Sequence, residues 1–157
     1  ALKCPNGNKH RRWRQASKTS MKNGLLYIIL FIGISLFGFS LKQSFDLTAS
    51  MQRGNEIYNA QCATCHMVKG EGIPTIYPPL ANSDFLMQER EKSITIILEG
   101  SSEAITVNGI TYDGVMPNNN LSDEQVSDVI NFIRNTWGNK GEPITPAQIK
   151  TIREKKR

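Results

Sequence analysis

The sequence predicts an all-α domain. Three observations predict it. Apolar residues recur at helical spacing on both sides of Cys62-Ala63-Thr64-Cys65-His66. Glycine and proline stops separate these stripes. Only one short segment, Ile105–Tyr112, carries a β signal.

The pentapeptide carries the chemistry. Two thiols three residues apart lie on one face of a helical turn. Such thiols can bond to the two vinyl groups along one edge of a porphyrin. His66 follows at once and falls beneath the ring, where its imidazole can reach an iron. This is the attachment signature of a c-type haem. A redox disulfide would sit in a βαβ pattern, which is not visible here. A zinc site would need two more ligands, and the other Cys and His are Cys4 and His10, far away in a basic tail. Cys4 reads as a leftover thiol in that tail.

Charge is unevenly distributed along the 157 residues. Residues 1–22 carry seven basic side chains and no acidic ones. From Asp46 to Ile149 there are six basic and 13 acidic, a net of −7. The overall excess of +5 therefore comes from the ends, and it does not argue for nucleic-acid binding.

The chain divides in order. Residues 1–22 read as a basic, disordered segment. Arg11-Arg12 is a poor twin-arginine match. Met21, just before an apolar run, is the expected translation start. Residues 23–41 hold no charge and form a transmembrane anchor or a signal peptide. Length and bulky content favour the anchor; Gly38-Phe39-Ser40 offers the small residues of a cleavage site. Basic residues precede the run, so the domain beyond it faces the extracytoplasmic, periplasmic side. Residues 42–49 read as a linker, 50–149 as the haem domain and 150–157 as a basic tail, with a short helix allowed after Thr145-Pro146.

Within the domain, Ser50 is the expected cap of a helix running to about Gln61. Gly54 would allow close helix approach, and Tyr58 reads as a packing residue. A proline loop follows His66. A ligating histidine needs an acceptor for its other ring nitrogen, and the Pro78 carbonyl is the first candidate, with Pro79 or Pro74 behind it. Asn82-Ser83-Asp84 starts one or two helices that end at Gly100. Ile94, Ile97 and Leu98 form their core or haem-wall stripe. Asn108-Gly109 turns a hairpin. Met116-Pro117 then lies in a loop, 50 residues after His66. Its thioether is a soft iron ligand, and this loop context favours it over Met87, which lies on a helix. Ser122 and Gln125 form a capping box for the last helix, with Leu121 and Val126 as its staple. The stripe Val126, Val129, Ile130, Ile133 and Trp137 runs toward Gly138 or Gly141, and Trp137 or Phe132 should lie near Tyr58.

The order helix, Cys-x-x-Cys-His, proline loop, helices, Met-Pro loop and C-terminal helix resembles the class I c-type cytochromes. More narrowly, it is similar to the cytochrome c domain of haem-containing copper nitrite reductases and related single-haem respiratory cytochromes. Tyr77-Pro78-Pro79-Leu80-Ala81-Asn82-Ser83-Asp84, Ile105-Thr106-Val107-Asn108-Gly109, Val115-Met116-Pro117 and Trp137-Gly138-Asn139 carry the likeness. The resemblance implies thioether bonds at Cys62 and Cys65, axial ligation by His66 and Met116, and the class I cytochrome c fold around one covalent haem c. The small hairpin before Met116 is an addition to the minimal pattern.

The expected function is one-electron transfer through a six-coordinate haem in an extracytoplasmic respiratory chain. The expected partners are redox proteins with basic docking patches, and the membrane through residues 23–41. No nucleic acid and no small-molecule substrate are expected. Two other readings stand beside it: a ligand-binding or catalytic haem with an open iron site, and a haem subunit of a larger membrane oxidoreductase complex.

Overall fold

The computed structural model describes residues 44–155. The basic segment 1–22, the anchor or signal peptide at 23–41 and the last two tail residues lie outside the described residues. Among the described residues no helix is long and apolar enough to cross a membrane.

Helix α1 spans Leu47–Ile57 and begins earlier than the sequence suggests. Asp46, not Ser50, is its cap: the Asp46 carboxylate accepts from the Ala49 N–H at 3.0 Å. Ser50 is instead fully buried one turn inside the helix. Residues 47–49 of the expected linker are thus helical. A wide π-turn, Tyr58–Cys62, follows, closed by the Ala63 N–H donating to the Tyr58 carbonyl. The extra residue rotates the succeeding turn by about 100° relative to an unbroken helix. It leads into the short helix α2, Ala63–His66.

Helix α3, Asp84–Gln88, is capped by Ser83, whose Oγ accepts from Leu86 N–H at 3.2 Å. Helix α4, Arg90–Glu99, stops at Gly100 with φ 79°. A Cβ there would lie 2.6 Å from the Met116 carbonyl oxygen, so only glycine lets these segments meet. The hairpin pairs β1, Ile105–Val107, with β2, Ile110–Tyr112, in the register Ile105–Tyr112. Asn108 and Gly109 both take positive φ, as a two-residue turn that matches strand twist requires. The turn docks on α3: Asp84 N–H donates to Asn108 Oδ1, and Asn108 N–H donates to Asp84 Oδ1.

Helix α5, Asp123–Arg134, opens with the expected capping box of Ser122 and Gln125. It ends before Trp137, short of the predicted Gly138 or Gly141. Asn139 ends it, because its Nδ2 donates to the Ile133 carbonyl at 2.7 Å and to the Leu80 carbonyl at 2.7 Å. Trp137 reaches the core from the loop, with φ 53°. Helix α6, Pro146–Lys155, takes up most of the expected tail. Ile149 and Ile152 are buried, and Arg153 pairs with Asp123 at 2.7 Å.

The core lies where α1 crosses α5, the most extensive contact between elements. Gly54 permits the crossing, since a Cβ there would lie 2.1 Å from the Asp128 carbonyl oxygen. Tyr58, Ile94, Val126, Ile130, Ile144 and Ile149 form the buried centre. A buried polar network pins the crossing. Ser50 Oγ donates to Asp128 Oδ1 at 2.7 Å, and Arg53 reaches both Asp128 oxygens at 2.7 and 2.8 Å. Asn131 links Ser50 to the Ile144 backbone ahead of α6.

Candidate haem site

The π-turn and α2 present Cys62, Cys65 and His66 to an apolar crevice. Two cavities make it up, one touching Cys62 and the other Cys65. They share His66, Pro78, Ile96, Ile105 and Met116. His66 and Met116 therefore border both halves. The cavities enclose about 660 and 570 Å³ including their open mouths.

The proline loop fixes the imidazole. Pro78 is the proline whose carbonyl meets it: His66 Nδ1 lies 2.9 Å from Pro78 O. A carbonyl only accepts, so Nδ1 carries the proton and Nε2 keeps a free lone pair. Burial lowers the His66 pKa, opposed by the Pro78 hydrogen bond, so the ring is neutral at pH 7. The loop is folded back on itself. Gly72 N–H donates to the His66 carbonyl at 3.0 Å, and Ile73 pairs with Tyr77 in both directions at 2.8 Å. Gly72 has φ 62°, and a Cβ on it would lie 2.3 Å from the Tyr77 carbonyl oxygen.

Met116 is held from the other side. Its N–H and C=O both bond to Ser101, at 2.8 and 2.9 Å, directly behind the Gly100 stop. The loop that carries it is thereby tied to the end of α4.

The residues present fit a covalently held porphyrin. Cys62 and Cys65 are free, partly exposed thiols, one on each half of the crevice. Burial, and then Cys65, push the Cys62 thiol up to about 11. The imidazole and thioether are an iron donor set. Ser93 Oγ lines the Cys62 half, is buried and has no partner among the described residues. A polar atom left over in an apolar wall suits a ligand with polar edges. Among the described residues no group of three or more His, Cys, Asp or Glu is placed to hold a metal.

The cytochrome c family pattern matches residues 51–137. This chain belongs to the cytochrome c family. Family members carry a covalently bound haem c with iron, and this cytochrome c is an electron-transfer haem protein. It is 36% identical over 146 residues to a cytochrome c-552 of Thermus thermophilus, covering 87% of this chain and 89% of that one. A second Thermus thermophilus cytochrome c-552 is 42% identical over 113 residues, 66% of this chain and 86% of the relative. The cytochrome c subunit of a quinone alcohol dehydrogenase from Gluconacetobacter polyoxogenes is 33% identical over 122 residues. That match covers 68% of this cytochrome and 23% of the longer relative.

Sequence reasoning missed Ser93 and the wall residues Ile105, Val107 and Ile133. Ser93 had a signal: it sits four residues before Ile97, on the apolar face of α4. The hairpin residues had none, because their position at the cavity depends on the Asp84–Asn108 contact.

Proposed function

We propose that this cytochrome is a one-electron carrier on the extracytoplasmic side of a membrane, working in a respiratory chain. Cys62 and Cys65 would hold the haem by thioether bonds, and His66 and Met116 would supply the donors to its iron. The observation that carries this reading is that His66 and Met116 border both halves of one crevice. When bound, the haem supplies a ferric–ferrous couple whose potential a methionine ligand raises. The chain's own residues do the rest. Pro78 holds the His66 proton at Nδ1 and orients the ring. Ser101 holds the Met116 backbone. Apolar walls from α3, α4, α5 and the hairpin exclude water, which keeps the surroundings nearly unchanged when one electron moves.

Docking fits the surface. The Cys65 half opens beside exposed Ile76 and Val115, with Glu103 on its lining. An apolar rim on a net-acidic domain suits a partner with a basic patch around an apolar centre. The membrane tie is residues 23–41. The narrower resemblance to the cytochrome domain of copper nitrite reductases rests on local sequence segments alone.

A second reading is a haem subunit of a larger oxidoreductase complex, favoured by the match to a dehydrogenase cytochrome subunit. Copurification of the intact chain in mild detergent separates the two: a stoichiometric partner enzyme supports the subunit.

Met116→Ala tests the ligand set. It should abolish the weak near-infrared absorption of methionine-bound ferric haem and lower the midpoint potential while the haem stays attached. A wild type that lacks that absorption and binds carbon monoxide readily in the ferrous form would instead mean an open iron site.

A further inference from the structure

Met67, directly after His66, takes φ 64° and ψ 161°. That backbone region is essentially reserved for glycine, and a side chain there is strained. The residue is nevertheless methionine. Something must hold it, and two donors converge on its carbonyl. The Tyr58 hydroxyl donates to Met67 O at 2.6 Å, and the Gly70 N–H donates at 3.1 Å.

Tyr58 is well placed for this. Its residue is fully buried and opens the π-turn. Its ring is fixed by Phe132 and Trp137, at centroid distances of 5.5 and 5.0 Å. Trp137 also closes over the far end of the same loop, where a Cβ on Gly70 would lie 2.5 Å from its ring. Phenylalanine would fill the core equally well. Only the hydroxyl explains a tyrosine.

We propose that Tyr58 is a positioning residue for His66: its hydroxyl clamps the Met67 carbonyl, holds the strained turn, and so fixes the imidazole between the crevice and Pro78. The inference rests on His66 being an iron ligand. Without the clamp, Met67 relaxes toward an ordinary backbone conformation and carries the adjoining His66 with it. The Nδ1–Pro78 bond loosens and the ring turns. A glycine at 67 needs no clamp, because the same backbone is unstrained for it.

The test uses the haem-loaded protein with Tyr58→Phe, Met67→Gly and both together. The readouts are the ferric haem-methyl NMR shifts, which report the orientation of the imidazole plane, the midpoint potential and Tm. Tyr58→Phe should move the haem-methyl pattern and the potential. The double variant should return both to near the wild-type values. A lower Tm with an unmoved pattern and potential would make Tyr58 a packing residue and overturn the proposal. So would a double variant that keeps the full Tyr58→Phe displacement. A wild type without hyperfine-shifted His66 ring signals would overturn the ligand reading and this inference together. A silent Tyr58→Phe in a wild type that shows those signals sinks the clamp alone.

Discussion

Tyr58 and His66 are both buried, and burial acts on them in opposite directions. It lowers the pKa of the imidazole, whose charged form is protonated, and raises that of the phenol, whose charged form is deprotonated. For Tyr58 burial is the largest cause, followed by the charges of Cys62 and Glu71. The sign follows by linkage. Above about pH 10 the unfolded phenol loses its proton while the folded one keeps it, so the native state binds more protons and stability falls as pH rises. Denaturant unfolding of the haem-loaded protein should therefore show a steeper alkaline loss of stability in the wild type than in Tyr58→Phe. Equal slopes would mean that the folded phenol titrates normally. The raised pKa also keeps the hydroxyl a donor at neutral pH, as the bond to Met67 requires. The sequence could place Tyr58 on the packing face of the expected helix from Ser50 to Gln61, but not its hydroxyl. The Met67 carbonyl meets it only because the chain turns sharply after His66.

The crossing of α1 and α5 is the element on which the pentapeptide is mounted. Gly54 sets how close the helices come, and Asp128 sets their register. Asp128→Ala would strand the Ser50 hydroxyl donor in the buried crossing and release Arg53 to solvent. Arg53 is largely exposed, so most of the effect comes from the unmet Ser50 donor, about 1–3 kcal/mol. Thermal unfolding should show a lower Tm with the haem spectrum unchanged, since Asp128 lies on the α1 side away from the crevice lining. A Tm within error of the wild type would mean that water replaces the carboxylate. The helix starts also differ in legibility. Ser83 and Ser122 cap where sequence places them, because each bonds within its own first turn. Ser50 does not, because its hydroxyl is drawn to Asp128 across 78 residues. Helix α5 stops early for a similar reason: Asn139 takes the Ile133 carbonyl, a contact that periodicity does not encode.

The whole domain is an acidic body with an apolar mouth at the Cys65 half. Its net charge of −7 between Asp46 and Ile149 should speed encounters with cations at low salt. Oxidation of the ferrous protein by a cationic metal complex should be faster than by an anionic complex of equal driving force. The two rates should converge as salt rises and the Debye length shrinks below about 8 Å. Faster reaction with the anion would place the exit for electrons at a basic patch. The apolar rim of Ile76 and Val115 is insensitive to salt, so a residual preference for apolar partners should survive screening.

The sequence by itself determined the haem signature at Cys62, Cys65 and His66, the hairpin at Asn108-Gly109, the capping box at Ser122 and the stop at Gly100. Each is set by neighbours within a few residues, and local chemistry is written locally. Tertiary structure decided which proline carbonyl meets His66, that Met116 and His66 border the same crevice, and that Ser93 faces it. It also decided that Tyr58 reaches Met67 and that α6 packs its isoleucines inward. These depend on where the chain returns after a turn of strained backbone or a helix crossing, and periodicity along the chain carries no record of that return.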